Sequence, residues 1–233
     1  MVFAFWAVLY GLSYSIPKLL FPTALPYSVL ACAGLLIAWL GYRKRLRAFR
    51  LCRPVLRGWT GIPILLLLLS LPAANLLSGG SFTSGNAAVL MLGAAFGEDI
   101  FFRGLLLAEP GTVGNPFLAW VTEQPDFVKA ILSSGLFAVC HAVNAAGGED
   151  WKRVAPQIIC AFCAGVFFAA VTFRTNSLLP AAAGHFFVNI TAAEDTVFSL
   201  PIAVGSMLCF AAGVILLIRH ARYRKETVNE VIY

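Results

Sequence analysis

An all-α, polytopic membrane protein is the fold class that three features of this sequence predict. Hydrophobic residues fill 60% of its 233 positions and charged ones only 12%, where a soluble domain is about a quarter charged. Apolar runs close to the roughly 20 residues that cross a bilayer recur along the whole chain. The basic residues are gathered beside those runs instead of being spread over a surface. Together these predict about eight transmembrane helices in a single integral membrane domain over residues 1–233, with no gap wide enough for a soluble one.

Taken in order, the first run is Phe3–Leu20. It lacks the basic leader and small-residue cleavage site of a signal peptide and is read as a mature helix. A short second span, Tyr27–Tyr42, leads into "RKRLRAFRLCRPVLR", Arg43 to Arg57, which holds seven of the 17 Lys and Arg residues. The remaining spans are Trp59–Leu77, Ala87–Ala108, Phe127–Ala146, Pro156–Phe173, Leu178–Ala193 and Leu200–Ile218, with ends read to within about 2–4 residues. The last is followed by four more basic residues in "RHARYRK".

Basic residues beside spans stay on the cytoplasmic side. Eight spans put both clusters and both termini there, with Arg174, and place "GGEDWKR" outside. The expected location is therefore the cytoplasmic (inner) membrane, and the compact loops favour a prokaryotic one. The net charge of +6 follows from this topology and is not a nucleic-acid signal. "SGGSFTSGN" is an outside connection. The longest loop, Glu109 to Asp126, has the Pro, Gly and Trp content of an interfacial re-entrant or capping segment. Of the six cysteines, Cys32, Cys52, Cys140, Cys160, Cys163 and Cys209, most sit in spans as small apolar filler. The CxxC of Cys160 and Cys163 has no second pair to make a metal site.

Ionisable residues inside spans are costly and mark function or a polar cavity. In "GEDIFFRGLLL", the fourth span carries Glu98, Asp99 and Arg103. The fifth carries His141 in "FAVCHAVN", and the seventh carries His185 and Asn189 in "GHFFVNI". Asp99 and Arg103 stand four residues apart and share a helical face, so they can pair. Glu98 is rotated about 100° away and has no such partner on its own helix. His185 and Asn189 repeat the spacing, as do Phe137 and His141. At 1.5 Å per residue, Glu98 lies roughly 17 Å from the outer end of its span. His141 and His185 lie roughly 21 and 10 Å from the cytoplasmic ends of theirs. One intramembrane layer can hold all three. Glu194 and Asp195 read as a helix end.

The bland readings are an intrahelical ion pair for Asp99 and Arg103, interhelical hydrogen bonding for each histidine, and packing glue for Asn189. The conjunction of an unpaired Glu, two His and one Asn on three spans points instead to a site. Glu98-Asp99-x-x-x-Arg103, Phe137-x-x-x-His141 and His185-x-x-x-Asn189 resemble, in order and placement, the three motifs of the CPBP intramembrane proteases. That family takes in CAAX prenyl endopeptidases, bacteriocin-processing and self-immunity proteins, and sorting proteases. Its first motif usually has two Glu; here Asp99 stands for the second. The resemblance covers about Gly97 to Asn189, within a motif-bearing core of about residues 87–195.

The resemblance implies a metal-independent glutamic protease without cofactors, working in a polar intramembrane cavity. It would cut a membrane-anchored or membrane-proximal protein or peptide substrate, in a sorting, processing or CAAX-type reaction. Glu98 would activate a water held with His141, His185 and Asn189 would donate to the oxyanion, and Asp99 and Arg103 would brace the Glu98 helix. A zinc ion on Glu98, His141 and His185 is an alternative, though no HExxH is present. A GxGD aspartate pair is missing, and Ser133 and Ser134 lack a rhomboid-like setting. Two readings from other classes remain: a proton-coupled transporter using Glu98 and the histidines as a relay, and a non-catalytic immunity protein.

Overall fold

The computed structural model describes residues 61–83, 85–109, 116–146, 148–192 and 199–232. The expected spans Phe3–Leu20 and Tyr27–Tyr42, the Arg43–Arg57 run, Cys32 and Cys52, and Glu194 and Asp195 lie outside the described residues. The regular elements described are helices. They are α1 (Gly61–Leu77), α2 (Gly85–Asp99), a π-helical turn continuing α2 (Ile100–Leu105), α3 (Pro116–Glu123), α4 (Asp126–Cys140), α5 (Val143–Ala146), α6 (Trp151–Thr175), α7 (Leu179–Thr191) and α8 (Leu200–Ile232).

Among the described residues, three stretches are long and apolar enough to cross a bilayer: Asp126–Ala145, Trp151–Thr175 and Leu200–Arg224. Of the other expected spans in this region, α1 and α7 are shorter, while α2 with its π turn runs from Gly85 to Leu105 and carries three charged residues. α7 has 13 residues, which at 1.5 Å each reach about 20 Å, short of a hydrocarbon core about 30 Å thick. The fifth expected span, Phe127–Ala146, matches Asp126–Ala145, with a turn between Cys140 and Val143. Part of the Glu109–Asp126 loop is helical, as α3.

α6 is the central post. From Cys163 to Phe173 it is buried continuously, and it packs along α4 on one side and α8 on the other, touching α7 as well. Ile64, Leu68 and Leu71 of α1 join Phe167, Phe168 and Val171 of α6 with Ala181 of α7 and Cys209 of α8 in one core cluster. A second cluster gathers Leu107, Ala130, Val166, Ala169, Ala170, Phe173 and Leu217. Where hydrocarbon surrounds a bundle, small residues let helices approach closely. A Cβ on Gly213 of α8 would lie 2.9 Å from the backbone N and Cα of Phe167, and one on Gly165 would lie 3.0 Å from Ser134 Cβ. The α6 ends are defined locally: Asp150 accepts from the Lys152 N–H at 2.9 Å, and Asn176 closes the helix in the left-handed conformation, φ 50°.

The contacts also fix direction. Asp99 meets His185 and Thr83 N–H donates to Ile190 O, so α2 and α7 are antiparallel. Ser133 meets Phe102, Asn144 meets Gln157 and Lys129 meets Phe173, so α4 runs against both α2 and α6. α6 and α8 are parallel, since Phe162 meets Phe210 and Phe173 meets His220. One end of the bundle therefore holds the starts of α4 and α7 and the finishes of the π turn, α6 and α8. At the opposite end, Asn75 of α1 donates to Val188 O at 3.1 Å and Thr191 Oγ1 at 3.2 Å, satisfying groups in the last turn of α7.

Gly213→Ala should lower the detergent melting temperature, because overpacking a close helix contact costs roughly 1–3 kcal/mol. A variant that melts with the parent would show that α6 and α8 do not touch at this point.

Candidate active site

The first motif straddles a change in helical pitch. Glu98 and Asp99 end α2 and Arg103 lies in the π turn, where Leu106 N–H donates to Phe101 O, five residues back, at 3.3 Å. Such widened turns concentrate at functional sites. Asp99 and Arg103 are both 0% exposed, and Arg103 Nε stands 3.3 Å from Asp99 Oδ1. The contact is one of charge more than of aligned hydrogen bonding, since neither atom has a hydrogen-bond partner among the described residues. Aromatic faces supply the rest of the guanidinium's surroundings. Its carbon lies 4.2 Å from the Phe137 ring centre, 5.7 Å from Phe168 and 5.8 Å from Phe102, a cation–π enclosure shielded from water.

The other oxygen of Asp99 reaches across to α7. His185 Nδ1 is 2.9 Å from Asp99 Oδ2, and His185 Nε2 is 3.7 Å from Glu98 Oε2. Adjacent residues on α2 thus straddle one imidazole. A carboxylate can only accept, so the proton of this bond sits on Nδ1 and Nε2 is the nitrogen turned to Glu98. His185 is 4% exposed and stacks on Phe168, ring centres 5.8 Å apart. The Glu98 side chain is 25% exposed. Asn189, one turn further along α7, is half-buried.

His141 lies at the C-terminal cap of α4. Its Nδ1 donates to Phe137 O at 2.9 Å, which leaves Nε2 free of that bond. It is close enough to Glu98 and His185 for their charges to couple. The Phe137 ring ties the histidines together, meeting His141 edge-on at 4.9 Å and His185 edge-on at 5.3 Å. Glu98, Asp99, Arg103, His141 and His185 therefore form one cluster, with Asn189 on the same helix as His185. Among the described residues, no three His, Cys, Asp or Glu side chains converge as ligands of one metal ion.

Comparison with known proteins bears on this cluster. Residues 80–191 match the family model described as type II CAAX prenyl endopeptidase Rce1-like. This segment is similar to the Rce1-like family. The match is consistent with a CPBP family protease; it runs from just before α2 to the last residue of α7 and includes all three motifs. No curated protein and no solved structure matches the chain.

Within the matched segment, α4 supports the motif helix along one stripe at four-residue spacing. Lys129, 2% exposed, directs Nζ at Leu107 O and Ala108 O, at 3.4 and 3.3 Å, and pairs with Asp126 at 2.9 Å. Ser133 donates to Phe102 O, inside the π turn, at 2.6 Å. Phe137 takes the guanidinium and His141 enters the site. Sequence reasoning passes over Lys129 and Ser133 in these roles. Lys129 was visible as an ionisable residue within the expected fifth span, whereas nothing in the sequence shows that a carbonyl of the π turn needs the Ser133 hydroxyl. The Asp99–His185 bond was likewise out of sight, because spacing along one helix assigns Asp99 only to Arg103.

Arg103→Ala would leave the buried Asp99 without its cation, a change that costs several kcal/mol. The variant should melt markedly lower in detergent, and Arg103→Lys should recover only part of the loss, since an ammonium does not stack as a planar guanidinium does. Equal melting temperatures for Arg103→Ala and the parent would mean that the ion pair does not hold α2.

Proposed function

We propose that the protein is an intramembrane endopeptidase that cuts a peptide bond near a membrane-anchored or membrane-proximal segment of a protein substrate. The Rce1-like match implies a peptidase and suggests the CAAX type. The observation that carries the mechanism is the imidazole of His185 held between Asp99 and Glu98.

In this reading Glu98 is the general base. It takes a proton from a water that His141 helps to orient, as the water oxygen bonds to the scissile carbonyl carbon and the C=O electron pair moves to oxygen. Nε2 of His185 lies beside the glutamate oxygen, so the proton can pass on to it. Asp99 then steadies the resulting imidazolium, in the way the third member of a catalytic triad does. The Nε2–H and the Asn189 amide donate to the oxyanion, the stabilisation that usually contributes most to such reactions. Collapse of the intermediate breaks the C–N bond, and the proton returns through Glu98 to the leaving amine. Arg103, enclosed by aromatic rings, holds Asp99 in place. Surrounding hydrocarbon strengthens these charge interactions relative to water.

Glu98→Gln keeps the side-chain shape but has no basicity, so cleavage should fall by at least about 10²-fold. The measurement is the set of membrane-protein termini in cells with the wild-type protein, with the variant, and with neither. Fragments unique to the wild type should be missing in the variant; their undiminished presence would remove Glu98 from the mechanism.

The metal alternative has a separate outcome. Glutamate chemistry expects detergent-purified protein to retain full activity after chelation, with no stoichiometric zinc. About one zinc per chain, lost together with activity and restored by adding Zn²⁺, would make Glu98, His141 and His185 ligands in place of base and donors.

A further inference from the structure

The two ends of the bundle differ in both charge and closure. At the end where α4 and α7 start, Leu105 is 1% exposed and Leu106, Leu107 and Ala108 are 0% exposed, with Lys129 lying against the last carbonyls. Asp126 locks this end. It accepts from Lys129 at 2.9 Å, His220 Nε2 at 3.3 Å and Arg224 at 2.6 Å, and Arg224 also reaches Glu109 at 3.7 Å. Arg174, Arg219, Arg222 and Arg224 all belong to this end.

At the other end, Val139 is 64% exposed, Cys140 is exposed, and His141, Ala142 and Asn144 are half-buried. Here α4 gives way after Cys140 to a turn and the short α5, while its neighbour α6 extends to Trp151. The partly exposed Glu98, 3.7 Å from His185 Nε2, lies on this side of the sealed π turn. Among the described residues this end carries two basic side chains, Lys152 and Arg153, beside the spans. Lys and Arg beside spans remain in the cytoplasm, so the sealed end is the cytoplasmic one.

We propose that the site is entered from the face opposite the basic end, so that the substrate presents its scissile bond on the extracytoplasmic side. The fitting substrate class is a translocated peptide next to an apolar anchor, as in a sorting tail or a leader, and not a tail held at the cytoplasmic leaflet. The nature of the substrate rests on the peptidase reading; the direction of entry does not.

The test therefore leaves proteolysis out. Asn144→Cys and Arg222→Cys are placed separately in a chain whose six native cysteines are replaced by alanine or serine. A charged, membrane-impermeant maleimide is then applied to intact cells and to opened ones. Position 144 should label in intact cells and position 222 only after opening. Labelling of 222 from outside, labelling of both from outside, or labelling of 144 only after opening would each overturn the proposal. The full native chain with a fluorescent protein fused after Tyr233 gives a second reading free of cysteine changes. It should fluoresce, as such fusions do in the cytoplasm, and a dark fusion contradicts the assigned orientation. If labelling supports this entry face but Glu98→Gln leaves cleavage intact, the peptidase reading fails alone.

Discussion

A single buried carboxylate holds the candidate site together. Asp99 faces Arg103 with one oxygen and binds His185 with the other. It thereby fixes the pitch change at the end of α2 to the imidazole of α7. Each ion carries a desolvation penalty of several kcal/mol when buried, so neither charge can be kept there without the other. The same constraint explains the three phenylalanines around the guanidinium, which accept a cation that hydrocarbon cannot. It also explains why His185 has a defined orientation: its Nδ1–H turns to the Asp99 carboxylate.

The fold exposes this arrangement only on one side. α6, buried along most of its length, sets the spacing between α4 and α8 through a tight contact at Gly165 and one at Gly213 too close for a Cβ. α7 is too short to cross a bilayer, and it sets His185 and Asn189 within its single run. α4 ends where the site begins, so His141 caps a helix instead of lying within one. Backbone polar groups at such an end need partners in a membrane; Phe137 O finds one in the His141 ring. The helix ending is thus also what orients the imidazole.

Much of this was legible in the sequence, and the reasons differ by residue. Glu98, Asp99, Arg103, His141, His185 and Asn189 stand out because polar groups in apolar runs are expensive. The i,i+4 spacing made the Asp99–Arg103 contact readable, since it is local. The partnership of Asp99 with His185 spans 86 residues and depends on how α2 and α7 pack, which no spacing encodes. The π turn was invisible for a related reason: the "IFFRGL" composition suits α and π pitch alike, and the choice depends on tertiary partners such as Ser133. The span read over Leu178–Ala193 exceeds the 13-residue α7 because hydropathy marks an apolar segment without showing where its hydrogen-bond ladder stops.

The tautomer of His185 tests the central claim most directly. Nitrogen-15 spectra of the histidine rings, assigned by comparison with a His185→Gln protein, report which ring nitrogen carries the proton. The account predicts a protonated Nδ1 in a strong hydrogen bond to a carboxylate, with that signature lost in Asp99→Asn. A bare Nδ1 on His185, or a spectrum unchanged by Asp99→Asn, would contradict it.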